Sequence, residues 1–311
     1  MKISARDIDH LSLTLSDPEG AASKLAQLGF NLTPEGVEPR CICFQPDRDD
    51  IPNYIELIQG DPDVIALAMN VAELEGEERT HAWETEDGFE VDAGVVVGES
   101  GGPLPWFPVR NETPDAFMEP EWIVHPNGAL GMMAIHAVAE NPREVAKGLK
   151  AGFGGTLEEI FDGCMLLKTG SVELLIWSPL AYQLEYKALE VMAPGELPSI
   201  VGAAIAVERS RPLQALLRAN NVPFALTEGD RVLVAPEQTD DAIEQTTDSE
   251  STGIECGASD ERHETSGHAV EFRDGKRAFA FPPSLKLRRT AVALAEANAV
   301  SIAVELKNAN S

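Results

Sequence analysis

The sequence predicts an α+β protein built from repeated βαβββ units paired into incomplete barrels. Three observations predict it. A strand–helix–strand pattern starts at Ile8 and returns at Met132 and at Ser199. Each helix opens on a short polar residue with a proline close behind: Asp17-Pro18, Asn141-Pro142 and Ser210-Arg211-Pro212. That is a helix-start signal, because proline in the first turn loses no hydrogen bond. Each unit then closes on a short apolar run carrying one glutamate: Glu56, Glu173 and Glu271.

In the first unit, Ile8 to Leu15 alternates and reads as a strand. Ser16-Asp17-Pro18-Glu19 fits a capping box. The helix after it puts Ala22, Leu25 and Leu28 on one face and ends at Gly29. Strand-like runs follow near Asn31–Thr33 and Arg40–Phe44, and Asn53–Ile58 closes the unit. The second unit is degenerate: strands at Asp63–Ala72, Gly94–Val97 and Leu104–Val109, with a helix expected over Leu74–Trp83. In the third unit, Met132–Ala139 is the first strand, a helix runs through Val145 and Leu149 to Gly152-Phe153, and Ser171–Ile176 closes. In the fourth, Ile200–Glu208 leads, a helix carries Leu213, Leu216 and Leu217, and Ala269–Phe272 is the expected closing strand. Residues 237–267 are polar, acidic and poor in apolar side chains, and read as a surface insertion. Residues 284–299 read as an amphipathic helix, and SIAVEL after it fits helix or strand equally.

One unit buries only one face of its sheet, so it needs a partner. Two sheets facing each other leave a concave interior suited to a small molecule. The expected division is residues 1–128 as one pair of units, 129–283 as a second, and 284–311 as a helical tail. Whether units pair within one chain or across a homodimer stays open.

Composition narrows the partners. The chain has 311 residues, a net charge of −28 and a pI near 4.5. So acidic a surface repels phosphate backbones and anionic lipid, which excludes nucleic acid and membrane as partners. No apolar run is long enough to span a bilayer, and the N-terminus lacks the apolar stretch of a signal peptide. The expected compartment is the cytoplasm. The cysteines, Cys41, Cys43, Cys164 and Cys256, form no CxxC and read as buried or free thiols. No GxSxG, Walker loop or HExxH occurs.

DIDHLSLTLSDPEGAASKLAQLGF with NYIELI, and later TPDAFMEPEWIVHPNGALGM, resemble the vicinal oxygen chelate superfamily and its glyoxalase-like proteins. The resemblance is best over residues 8–179. It implies a divalent ion inside the cup, held by residues on the first and last strands of a unit and gripping two neighbouring oxygens of a substrate. Isomerase, lyase and dioxygenase chemistry all occur in the family, as do metal-free ligand binders.

On this resemblance His10 and Glu56 are the metal ligands. Imidazole plus carboxylate suits Zn, Fe, Mn, Co or Ni without choosing among them. Glu173 and Glu271, read as repeating the place of Glu56, are candidates for a further ligand or a general base. His136 ranks lower, because Ala134 falls opposite His10 when the helix prolines are aligned. Relatives often carry histidines before the TP dipeptide; here the stretch is Val109-Arg110-Asn111-Glu112. Arg110 suits a carboxylate or phosphate on the substrate. Trp106, Phe107 and Asn111 complete the candidate substrate-binding set, with Phe117 near them. His125 reads as ordering the turn Pro126-Asn127-Gly128. Two functions follow: a metal-dependent enzyme acting through oxygen chelation, or a metal-free protein that binds a small molecule.

Overall fold

A computed structural model describes residues 3–35, 37, 39–48, 50–60, 64–84, 90–99, 101–189, 193–227, 231–234 and 303–308. The first strand, β1 (Ala5–Leu15), leads into helix α1 (Pro18–Gln27), and strands β2 (Arg40–Arg48) and β3 (Ile51–Gln59) complete the first unit. Asp17, rather than Ser16 as the capping-box reading had it, caps α1 by accepting the Gly20 N–H at 2.9 Å. The second unit is β4 (Val64–Val71), β5 (Glu77–Glu84), β6 (Glu90–Val97) and β7 (Trp106–Asn111). It has no helix among the described residues. The stretch expected to be helical is largely β5, paired antiparallel with β6 from Glu77↔Val97 to Glu84↔Glu90. Residues 77–80 are exposed, so hydrophobic periodicity was uninformative there and strand pairing decided the conformation.

A 3-10 turn (Pro114–Phe117) and the short helix α2 (Pro120–Ile123) lead into the third unit. That unit contains β8 (Ala129–Val138), α3 (Pro142–Phe153), β9 (Thr156–Phe161), β10 (Cys164–Lys168) and β11 (Glu173–Trp177). Helix α4 (Pro179–Glu185) connects to the fourth: β12 (Ser199–Val207), α5 (Ser210–Ala219), β13 (Ala225–Thr227), β14 (Arg231–Val234) and β15 (Ala303–Asn308).

Two sheets result. The first runs β2-β3-β1-β4-β7-β6-β5 and is curled into a half-barrel; the second runs β13-β14-β15-β12-β8-β11-β10-β9. In each, two units join edge to edge through their leading strands, β1 with β4 and β8 with β12, both antiparallel. The sequence reading had paired units face to face. Edge pairing instead satisfies the open backbone groups of both leading strands. In the first, third and fourth units the closing strand returns parallel to the leading one: β3 to β1, β11 to β8 and β15 to β12.

The last pairing corrects the sequence reading. The closing strand of the fourth unit is Ala303–Asn308, where a helical tail was expected to end. Ala269–Phe272, with Glu271, lies outside the described residues, as do the 237–267 insertion and the helix expected over 284–299. AVEF and AVEL are the same strand signal, so local pattern could not choose between them.

Both sheets contribute to one apolar cluster. Leu11, Leu13, Leu25, Ile55 and Leu57 from the first unit share it with Ile135, Ala137, Leu149, Phe153 and Ile176 from the third. Asp7 ties β1 to the turn before β11, accepting from the Ser171 N–H (2.7 Å), the Ser171 hydroxyl (2.7 Å) and the Val172 N–H (3.1 Å). Among the described residues no helix is long and apolar enough to cross a membrane.

Candidate functional site

Strand alternation assigns the faces of the first sheet. Leu11, Leu13 and Leu15 of β1 point toward α1 and the shared core, so His10 and Ser12 point into the concave side. On β3, Ile55 and Leu57 belong to the core, and Tyr54 and Glu56 face the concavity. In the parallel ladder His10 lies beside Tyr54, and Ser12 beside Glu56. His10 and Glu56 therefore converge from neighbouring strands. His10 Nε2 stands 3.3 Å from Glu56 Oε1. His10 Nδ1 donates to Asp9 Oδ1 at 2.8 Å.

The pair is deeply buried, His10 at 2% exposure and Glu56 at 7%. Burial alone would depress the His10 pKa. The Glu56 charge, with the hydrogen bonds to Asp9 and Glu56, outweighs it and pushes the value up to about 9. The two carboxylates thus favour the protonated ring, with Nδ1 toward Asp9 and Nε2 toward Glu56.

Aromatic rings close over this group. Tyr54 stacks on His10 at 4.2 Å, and Phe117 stacks on Tyr54 at 4.7 Å and 3°. Phe107 approaches His10 edge-on at 5.9 Å. Phe117 rides on the 3-10 turn, which Thr113 fastens to the sheet by accepting the Gly94 N–H at 2.9 Å. Cys41 and Cys43 lie in the same buried cluster, and burial raises both thiols well above the usual range.

The candidate residues divide by strand period. Along β7, Phe107 and Asn111 face the concavity, and Asn111 Nδ2 donates to Asp9 Oδ2 at 2.6 Å. Trp106 and Arg110 alternate to the other side. Trp106 packs on Phe153 at 5.1 Å, in the core between the sheets. Arg110 pairs with Glu112, Nε to Oε1 at 2.7 Å, and donates to the Leu74 carbonyl at 3.2 Å. Neither lines the concavity, and the alternation that separates them is legible in the sequence.

Glu173 stands apart from His10 and Glu56, in the second sheet. It is buried and accepts from Lys168 Nζ at 2.6 Å, while its Oε2 has no hydrogen-bond partner among the described residues. It does not repeat the place of Glu56. Ser12 lies five residues before the cap Asp17, and His136 lies five before the cap Asn141; the partner of Ser12 is Glu56, but the partner of His136 is Leu175. The register of Glu56 recurs instead at Glu305, whose backbone pairs with Ala204, five residues before the cap Arg209. His136 accepts on Nδ1 from Trp177 Nε1 (3.1 Å), and the Tyr186 hydroxyl lies 3.0 Å from Nδ1 and 3.4 Å from Nε2, within an aromatic cluster of the second sheet.

Sequence reasoning missed Asp9 and Asn70. Asn70 Nδ2 donates to Asp9 Oδ2 at 2.8 Å. The Asp-His dipeptide is visible in the sequence, but nothing local shows that both side chains turn to one side. For His125 the turn is present, with the Gly128 N–H donating to the His125 carbonyl at 2.8 Å. Its ring does more: Nδ1 accepts the Asn31 N–H at 3.0 Å and Nε2 donates to the Cys43 carbonyl at 2.8 Å.

The sequence matches no family model and no curated protein. Solved structures similar to the chain include a hypothetical protein from Staphylococcus aureus, at 10% identity over 65% of this chain and 92% of that one, with a TM-score of 0.43. A Mn(II)-bound glyoxalase from Novosphingobium aromaticivorans matches at 11% identity over 75% and 78%, with a TM-score of 0.45. A xylose isomerase-like TIM barrel/4-hydroxyphenylpyruvate dioxygenase fusion protein matches at 11% identity over 76% of this chain and 47% of that one, with a TM-score of 0.40. The architecture itself is α+β, with paired units and a first sheet curled into a half-barrel.

Proposed function

We propose that the concave face of the first sheet is a divalent-metal centre that binds a small oxygenated molecule, with His10 and Glu56 as its protein ligands. The convergence of His10 Nε2 and Glu56 Oε1 at 3.3 Å carries this reading. Two ligands sharing one ion at bond lengths of roughly 2.0–2.3 Å stand about 3 to 3.6 Å apart. The donor set also fits: an imidazole with its second nitrogen anchored, and a carboxylate, suit a borderline first-row ion. Among the described residues no group of three or more His, Cys, Asp or Glu side chains is arranged to hold an ion. Two protein ligands leave several coordination positions for substrate oxygens, which is what bidentate chelation needs.

An ion bound there supplies Lewis-acid polarisation of the substrate oxygens. The chain's own groups do the rest. Asp9 holds the His10 ring through Nδ1. Nε2 faces Glu56, and an ion held between them would take the place of a proton there. Tyr54, Phe107 and Phe117 form an apolar wall that excludes water and lowers the local dielectric. Phe117 sits on a turn between β7 and α2, so displacing that turn opens the concavity to a ligand.

The test is elemental analysis of protein purified without a histidine tag, together with H10A and E56A. Stoichiometric metal in the wild type, lost in both variants, is the expected result. Wild type that stays metal-free after reconstitution sinks the reading. A second reading is favoured by the Tyr54–Phe117 stack that fills the concavity: a metal-free protein that sequesters an aromatic or apolar molecule in place of Phe117. Ligand binding undiminished in H10A and E56A would support it.

A further inference from the structure

We infer that Asp9 is a positioning residue for the proposed centre: it holds the His10 ring by Nδ1 so that Nε2 faces Glu56, and Asn70 and Asn111 lock Asp9 in turn. The inference rests on the metal-centre reading and adds to it the groups that orient the imidazole.

The backbone supplies the first argument. Asp9 and His10 are consecutive on β1, and on a regular strand they would point to opposite faces. The β1·β4 ladder shifts register between Ile8 and His10. Such a bulge re-aims a side chain, and here it brings the Asp9 carboxylate to the same side as the His10 ring, at 2.8 Å.

Hydrogen-bond chemistry supplies the second. Asp9 is fully buried. Its Oδ1 accepts from His10 Nδ1; its Oδ2 accepts from Asn70 Nδ2 at 2.8 Å and Asn111 Nδ2 at 2.6 Å. A carboxylate only accepts, so all three facing atoms must be donors. This places a proton on His10 Nδ1 and settles the orientation of two amides that geometry alone leaves ambiguous. Asn70 sits on β4 and Asn111 on β7, so the network fastens three adjacent strands at the level of His10.

The third argument is what the network leaves unsatisfied. With both NH2 groups committed to Asp9, Asn70 Oδ1 and Asn111 Oδ1 are buried acceptors without a partner among the described residues. A buried acceptor left unmet costs about 1–3 kcal/mol. Both amides direct their donors at the one carboxylate, so Asp9 is where the network converges.

The test compares D9N with D7N, a second buried carboxylate on the same strand that touches the third unit and not His10. Zn(II) and Mn(II) affinities are measured by competition with a chelating dye, and folding is followed by near-UV circular dichroism. Removing such a hydrogen-bond partner of a metal-bound histidine weakens binding roughly 10- to 100-fold. That loss is expected for D9N. D7N is expected to lower the melting temperature yet keep affinity within about twofold of wild type. Affinity in D9N within the same margin overturns the inference. Should D9N fail to fold, N111A, which keeps the carboxylate and removes one lock, is expected to lose affinity several-fold; no loss counts against the inference. If wild type binds no ion, the metal reading fails and the inference is judged on 15N spectra of ion-free protein. A His10 Nδ1–H protected from exchange in wild type and unprotected in D9N or N111A sustains it. Equal exchange in all three overturns it.

Discussion

His125 makes the fold acid-sensitive. The ring is 6% exposed, between Phe30 and Phe44 at 5.5 and 5.4 Å. Nδ1 accepts the Asn31 N–H, so protonation there must break that bond. Burial pulls the pKa down, the hydrogen bond to the Cys43 carbonyl opposes it in part, and the value stands at about 4 against 6.5 for a free imidazole. The folded pKa lies below the unfolded one. The stabilisation is therefore fully present above 6.5 and is lost as pH falls toward 4. At roughly 1.4 kcal/mol per pH unit, the loss from this group between pH 6.5 and 4.5 is about 2 kcal/mol. The perturbation is His125→Phe, which keeps the aromatic packing and removes both the titration and the two hydrogen bonds. At pH 7 it should cost about 2–4 kcal/mol, since the Asn31 N–H and Cys43 carbonyl lose their partner. Urea unfolding across this pH range is the assay. The wild-type curve should fall more steeply than the variant curve by about 2 kcal/mol. Parallel curves would refute the reasoning, because the acid sensitivity would then belong to other groups.

Three further predictions concern other buried groups. His10 has the opposite sign: its folded pKa, about 9, exceeds the unfolded 6.5, so its contribution is present below 6.5 and lost as pH rises through 9. Ion-free protein should lose about 2 kcal/mol of stability from pH 7 to 9.5, and His10→Gln should flatten that limb in the same urea series. Asp7→Asn should cost about 2–4 kcal/mol in calorimetry, because a charged acceptor of the Ser171 and Val172 donors is removed. Cys41, Cys43 and Cys164 are buried, and burial raises all three thiols, with the nearby Glu185 adding to Cys164 at about 12. Native protein at pH 8 should therefore show no more than one fast-reacting thiol with an aromatic disulfide reagent and all four once unfolded.

Legibility followed the range of the interactions. Asp17-Pro18 and Asn141-Pro142 are local signals, and the helices start there. His10 and Glu56 were singled out by the resemblance, from their places on the first and last strands of the unit, and parallel pairing of β1 with β3 brings the two side chains together. Asp9 was not readable as a site residue. Its role depends on a bulge and on amides 61 and 102 residues away, set by the β1–β4–β7 order. The helix expected over Leu74–Trp83 failed for a different reason. Glu77, Glu78 and Arg79 are exposed on an edge strand, where good helix formers are tolerated and no buried face reveals the period of two. Glu305 was passed over because 303–306 repeats the strand signal of 269–272, and only pairing with β12 separates them.

The central claim is that one ion sits between His10 and Glu56. Crystals of the manganese-reconstituted protein, measured for anomalous scattering at the manganese edge, test it most directly. The account predicts a single strong peak about 2.0–2.3 Å from both His10 Nε2 and a Glu56 carboxylate oxygen, with His10 Nδ1 still bonded to Asp9. A peak elsewhere, such as beside Glu173, or a His10–Glu56 contact unchanged in protein saturated with metal, would contradict it.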